Sequence, residues 1–191
     1  MIRFDDYKFE AVPHCKGPLI DPTLIVMHWT AGGTMPGTLN HWRNPETNAS
    51  AHFLIERDGT VVQCVSLDLQ AFHTGESQWG GRKWCNSFSV GIELVNWGPV
   101  MVTTAKNSFR SEAGGAVDGR GCVKVGDDWY QGYTAHQWDA LRDLVLKLKA
   151  KFPSIKEIVG HSEICIPAGR KRDPGPAFPM RGIRSVFEGR Q

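Results

Sequence analysis

The chain has 191 residues, 41% of them hydrophobic and 22% charged, which is ordinary globular usage and excludes a disordered polymer. Lys and Arg number 22 against 20 Asp and Glu, too even a balance for a dedicated nucleic-acid binder, which carries a strongly basic face. Gly 21 and Pro 11 fall without a Gly-X-Y period, which excludes a collagen-like fibre and favours a loop-rich enzyme over a helical bundle.

Residues 23–28, after Asp21-Pro22, form an apolar, β-branched run that reads as a buried strand. Gly32-Gly33 and Pro36-Gly37 then break the chain, and 38–43 is expected to be a short helix. Two apolar segments, 51–57 and 60–66, are joined by Asp58-Gly59, the strongest two-residue hairpin signal. Residues 67–88 read as loop, and 89–95 as another strand. From 96 to 131 the pattern dissolves among Gly114, Gly115, Gly119, Gly121 and Gly126, and the expectation is an inserted surface loop or hairpin. Thr134-x-x-Gln137 is a capping box that opens the clearest helix, 135–151, with Leu141, Leu144, Val145 and Leu148 on one face. Ile158-Val159 is a short strand, 161–179 a loop, and a last short helix runs through 179–187 with Pro179 in its first turn. Alternating strands and helices predict an α/β fold: one domain over 1–191 with a core of about 23–180, a central mixed sheet flanked by helices, and the 96–131 insert.

The five cysteines are odd in number and contain no C-x-x-C pair, so free thiols are expected. The N-terminus shows no signal segment, and the longest apolar run, Leu24-Ile25-Val26-Met27, falls far short of the roughly 20 residues that span a bilayer. Cytoplasmic synthesis and no membrane insertion are the expectation.

Two histidines, His28 and His161, directly follow apolar strand-like runs. In open α/β sheets, ligands bind beyond the carboxyl ends of the strands. Were these two strands parallel neighbours, the imidazoles would converge. Asp173, twelve residues after His161 on a proline-stiffened loop, supplies a third donor. Two imidazoles and a carboxylate suit Zn²⁺, and three protein ligands leave a fourth position for water. The alternative is a hydrogen-bonded histidine at each strand end. Glu93 lies inside an apolar strand and points either to solvent or into a site. Lys171 stands between Arg170 and Arg172, in a loop that also fits a solvated basic patch. His52 could line the same cleft or be a hydrogen-bonded strand histidine. His73, in a glycine-rich loop, fits a turn role, a supporting role or a substrate contact.

Five segments, in order, carry a family resemblance. They are Ile25-Val26-Met27-His28-Trp29-Thr30-Ala31-Gly32, then Ser50 to Gly59, then His73-Thr74-Gly75, then Cys85 to Leu94, and last Gly160-His161-Ser162-Glu163-Ile164 with Gly169 to Pro176. With these the chain resembles the zinc-dependent N-acetylmuramoyl-L-alanine amidases of the type 2 family, whose fold is shared with peptidoglycan-recognition proteins and phage lysozyme-type amidases. The resemblance implies a central mixed sheet, a Zn²⁺ held by His28, His161 and Asp173, and catalysis by Glu93 as proton carrier and Lys171 as the clamp on the oxyanion. It implies cleavage of the amide between the lactyl group of N-acetylmuramic acid and the L-alanine of the stem peptide. It further implies a monomer acting on peptidoglycan or muropeptides, with His52, His73, Arg82, Trp84 and Asn86 at the substrate. Trp84 stands where some relatives carry a basic residue that reads a stem-peptide carboxylate, and Arg82 or Lys83 is the candidate substitute. A wall-recycling enzyme and a phage endolysin released to the cell wall at lysis both fit. So do two other classes: a wall-binding module without activity, against which the complete ligand set counts, and a zinc amidase for another acyl-amino acid.

Overall fold

Alternation at period two builds the centre of the molecule, for which the computed structural model describes residues 1–19, 21–105 and 107–190. In the strand Leu24–Trp29, Ile25 and Met27 pack on one side of the sheet, and Leu24 and Val26 on the other. In Ser89–Leu94, Val90, Ile92 and Leu94 join Ile25 and Met27, so Ser89, Gly91 and Glu93 are left for the opposite face.

The central sheet has six strands in the order Lys8–Phe9, Val61–Gln63, Phe53–Ile55, Ser89–Leu94, Leu24–Trp29, Glu157–Gly160. Only the Val61–Gln63 and Phe53–Ile55 pair is antiparallel, so the sheet is mixed. The helices Ala135–Lys151 and Met180–Glu188 cover one face, where Leu141, Leu144, Val145, Leu148, Ile183 and Phe187 close the main core. The helix Met35–Arg43 packs on the other side through Met35, Leu39 and Trp42.

The long helix begins at the expected capping box: the Thr134 hydroxyl accepts the Gln137 amide at 3.0 Å, and Gln137 Oε1 accepts the Thr134 amide at 3.2 Å. The first helix starts three residues earlier than expected, at Met35, because Thr34 caps it and Pro36 fits its first turn. The hairpin forms with a three-residue connection, Arg57–Asp58–Gly59, between the paired Glu56 and Thr60.

Two expected loops are ordered. Within 67–88, Leu69–Ala71 pairs with Cys15–Pro18, and Gln78–Trp79 pairs with Arg82–Lys83 across Gly80-Gly81. The insert is neither a loop nor a single hairpin. It is a five-stranded antiparallel sheet in the order Ala116–Asp118, Ser108–Ser111, Pro99–Val102, Asp128–Gln131, Cys122–Val125. Its glycines sit at the turns: Gly126, at φ 61°, lies in the two-residue connection between the paired Val125 and Asp128. Val100, Phe109 and Val117 form its own small core with Trp97 and Trp129. The insert is anchored where it leaves the main sheet, since Asn96 Nδ2 donates to the Gln131 carbonyl (3.0 Å) and the Gln131 amide to the Gly98 carbonyl (2.9 Å). Among the described residues no helix is long and apolar enough to cross a membrane.

Candidate active site

Register decides the site. Leu24–Trp29 runs parallel to Glu157–Gly160 with Met27 opposite Gly160, so His161 emerges beside His28. On the other flank His28 lies opposite Glu93, which puts both side chains on the same face of adjacent strands. The loop after His161 returns over this edge and brings in Asp173, held by the Ser162 amide donating to the Asp173 carbonyl at 2.9 Å.

His28 Nδ1, His161 Nδ1 and Asp173 Oδ2 meet at 3.1, 2.9 and 3.0 Å, and all three residues are buried. His161 Nε2 lies 2.9 Å from the Thr74 carbonyl, which can only accept, so that nitrogen carries a proton and Nδ1 is the one turned to the site. Burial pulls the His28 pKa down to about 4 against the pull of Asp173, so the His28 ring is neutral at pH 7. Two imidazole nitrogens and a carboxylate oxygen aimed at one point repel unless a cation stands between them. A tetrahedral ion with bonds of about 2.0–2.1 Å would space its ligands about 3.3 Å apart, close to the separations found. The donor set therefore fits a divalent metal.

Glu93 lies on the other side of this centre, opposite His28. Its Oε2 is buried without a hydrogen-bond partner among the described residues. Burial, reinforced by the Asp173 carboxylate, pushes its pKa well above the glutamate range, while the Lys171 charge works the other way. Lys171 also acts on His28 and is itself exposed at the cleft. Its neighbours are not a solvated basic patch. Arg170 donates to the carbonyls of Ile166 (2.8 Å), Thr74 (3.1 Å) and Glu76 (2.7 Å), stitching the Asp173 loop to the His73-Thr74-Gly75 loop. Arg172 pairs with Glu112 of the insert. Lys171, between them, makes no ion pair among the described residues.

The residues expected at the substrate divide. Asn86 and Trp84 line a groove of about 220 Å³ with Lys16, Asn48, Phe72 and Gly75. Trp84 is 61% exposed there, and Asn86 Oδ1 accepts the amides of His73 (3.1 Å) and Thr74 (2.9 Å). The other three lie elsewhere. His52 is 0% exposed, its Nε2–H donating to the Leu69 carbonyl (3.0 Å) and its Nδ1 accepting the Gly91 amide (3.0 Å), so it braces the sheet from below. His73 is buried behind His28, with both ring nitrogens engaged. Arg82 stacks on Phe88 and approaches Thr23 Oγ1 at 3.4 Å. Thr23 precedes His28 by five residues, about 16 Å of strand, so the Arg82 side chain points to the far end of the sheet, away from position 84.

Tyr133 escaped the sequence reading. Its hydroxyl donates to the Pro174 carbonyl at 2.8 Å and fixes the loop next to Asp173. Burial, then Asp173 and Glu93, push its pKa well above the tyrosine range, so it stays a donor. Its position, one residue before the capping box and just past the insert, is the only local signal. Trp29 packs where a Cβ on Gly175 would fall 2.2 Å from its ring, which ties the same loop to the main sheet.

A centre that can hold a cation on one side and accept a proton on the other is equipped for hydrolysis. The chain belongs to the N-acetylmuramoyl-L-alanine amidase family, Amidase_2, which matches residues 18–176. It is 33% identical over 192 residues to the 1,6-anhydro-N-acetylmuramyl-L-alanine amidase AmpD of Escherichia coli K12, covering 90% of this chain and 87% of that protein. A selenomethionine derivative of AmpD has the same fold, with a TM-score of 0.66 at 26% identity over 97% of this chain and 98% of that one. The solution structure of Citrobacter freundii AmpD is similar at a TM-score of 0.57 and 26% identity, covering 99% and 97%. The activity is the family's: hydrolysis of the amide between N-acetylmuramic acid and L-alanine.

Proposed function

We propose that the enzyme is a zinc amidase of wall recycling that releases the stem peptide from soluble muropeptides, with a preference for the 1,6-anhydro sugar named in its relatives. The single observation that supports this most is the buried, unpartnered Glu93 carboxylate beside three convergent metal donors. His28, His161 and Asp173 hold the zinc. When bound, it polarises the scissile carbonyl and lowers the pKa of a water to about 7. Glu93 accepts the proton of the attacking water and returns it to the departing amine of L-alanine, a role suited to a carboxylate whose pKa burial has raised well above the ordinary glutamate range. The Lys171 ammonium, unpaired and near Glu93, offsets the charge that develops on the carbonyl oxygen. The Trp84–Asn86 groove takes the stem peptide. Arg82 and His52 are too far or too deeply buried to contribute.

An aromatic at 84 and a nearby Lys16 favour a stem peptide recognised by stacking and one cation. Purified anhydro- and reducing-end muropeptides, incubated with zinc-loaded protein and followed by mass spectrometry, test the assignment. Release of free stem peptide, faster from the anhydro substrate and abolished by chelator, is expected. Binding without cleavage would make the chain a wall-binding module, and equal rates on intact sacculi would favour a lytic enzyme.

A further inference from the structure

A buried hydrogen-bond chain runs from the metal centre into the sheet. His28 Nε2 lies 3.0 Å from His73 Nδ1, His73 Nε2 lies 3.3 Å from Ser89 Oγ, and Ser89 Oγ lies 2.6 Å from the Cys85 carbonyl. The last member sets the direction of the whole chain. A carbonyl only accepts, and at 2.6 Å an oxygen without its proton aimed there would repel it, so the single Ser89 hydrogen points at Cys85. Ser89 then has only lone pairs for His73, so His73 carries its proton on Nε2 and leaves Nδ1 bare. His28 must donate to that nitrogen from Nε2, and its Nδ1, 2.9 Å from Asp173 Oδ2 and 3.1 Å from His161 Nδ1, is the nitrogen turned to the site.

His161 reaches the same state through one carbonyl. His28 reaches it through two side chains, and the strand is cut to admit them: a Cβ on Gly91 would fall 2.6 Å from the His73 ring. Ser89 and Gly91 share a face of their strand with Glu93. We infer that His73 and Ser89 are positioning residues that fix the tautomer of His28 and so prepare its Nδ1 for the metal. This deepens the zinc assignment and rests on it for its effect on affinity. The proton held on His28 Nε2 is itself a property of the metal-free protein.

The test uses Ser89→Ala, His73→Leu and the double variant. ¹⁵N shifts of the His28 ring in metal-free protein report the tautomer, and chelator competition gives the zinc Kd. Wild type should show a proton fully retained on His28 Nε2. Both single variants should show mixed tautomers and bind zinc about 10–100-fold more weakly, the usual effect of losing a partner behind a metal ligand. Ser89→Ala removes one oxygen and leaves every ring in place, so a cooperative melt with retained secondary structure separates positioning from packing. Because the two residues act in series, the double variant should bind no worse than His73→Leu. A His28 that stays in the Nε2–H form in Ser89→Ala, a zinc Kd within about threefold of wild type, or losses that multiply in the double variant would overturn the inference. A wild-type protein that binds no zinc would defeat the metal assignment instead, and the metal-free spectra would still decide the relay.

Discussion

Replacing Glu93 by Gln should make the protein inactive and more stable at once. The carboxylate is buried, its Oε2 has no partner, and Asp173 stands nearby with like charge. An uncompensated buried charge costs about 3–5 kcal/mol, whereas an unpartnered neutral polar group costs about 1–3 kcal/mol. The amide should therefore recover about 2 kcal/mol in metal-free protein, or roughly 2–4 °C of melting temperature per kcal/mol at this size. The sign with pH follows from the raised pKa. The native state holds the Glu93 proton more tightly than the unfolded chain, so its stabilisation is complete below the ordinary glutamate range and is lost as pH rises through the raised value. The advantage of Gln should thus be largest in mild alkali and disappear in acid. Activity moves the other way. Gln cannot take up a proton, and kcat should fall about 10²–10⁴-fold, equivalent to about 3–5 kcal/mol of barrier, with zinc still bound. Urea unfolding at pH 5 and 8, zinc analysis and turnover of a muropeptide measure all three. A Gln variant that is less stable than wild type at pH 8 would refute the burial argument, and one that keeps kcat within tenfold would refute the assigned role.

Lys171→Met should lower kcat about 10²–10³-fold with KM nearly unchanged, the signature of a group that acts only as charge develops, while Arg172→Met, which loses an exposed pair with Glu112, should cost far less. Equal losses at the two positions that vanish in high salt would count against an oxyanion role. Asp173→Ala should abolish stoichiometric zinc, read by elemental analysis after dialysis, and full occupancy would move the metal elsewhere. His52 has a folded pKa of about 4 against an ordinary 6.5, so stability complete above pH 6.5 is lost as pH falls toward 4, at about 1.36 kcal/mol per pH unit. His52→Gln should remove about one proton from the slope of unfolding free energy over that window, and an unchanged slope would show that another group carries it.

Several parts of this protein are written locally. The period-two run at 24–29, the Asp58-Gly59 turn and the capping box at Thr134 each depend on neighbours a few residues away, so backbone sterics and side-chain alternation within the segment suffice to specify them. The convergent donors are legible for a related reason: both histidines end apolar strands, and ligand sites lie beyond such ends. Whether those strands are adjacent and parallel is a matter of pairing across 133 residues, and only the folded sheet decides it. The insert was misread because a small antiparallel sheet needs few apolar residues, and its glycines mark turns as readily as they mark loops. The histidines show the limit most plainly. His28, His52, His73 and His161 are chemically the same residue, and what separates a ligand from a brace or a relay is which atom each ring nitrogen meets. Those partners lie 12 to 145 residues away in sequence, and packing alone brings them within 3 Å or so.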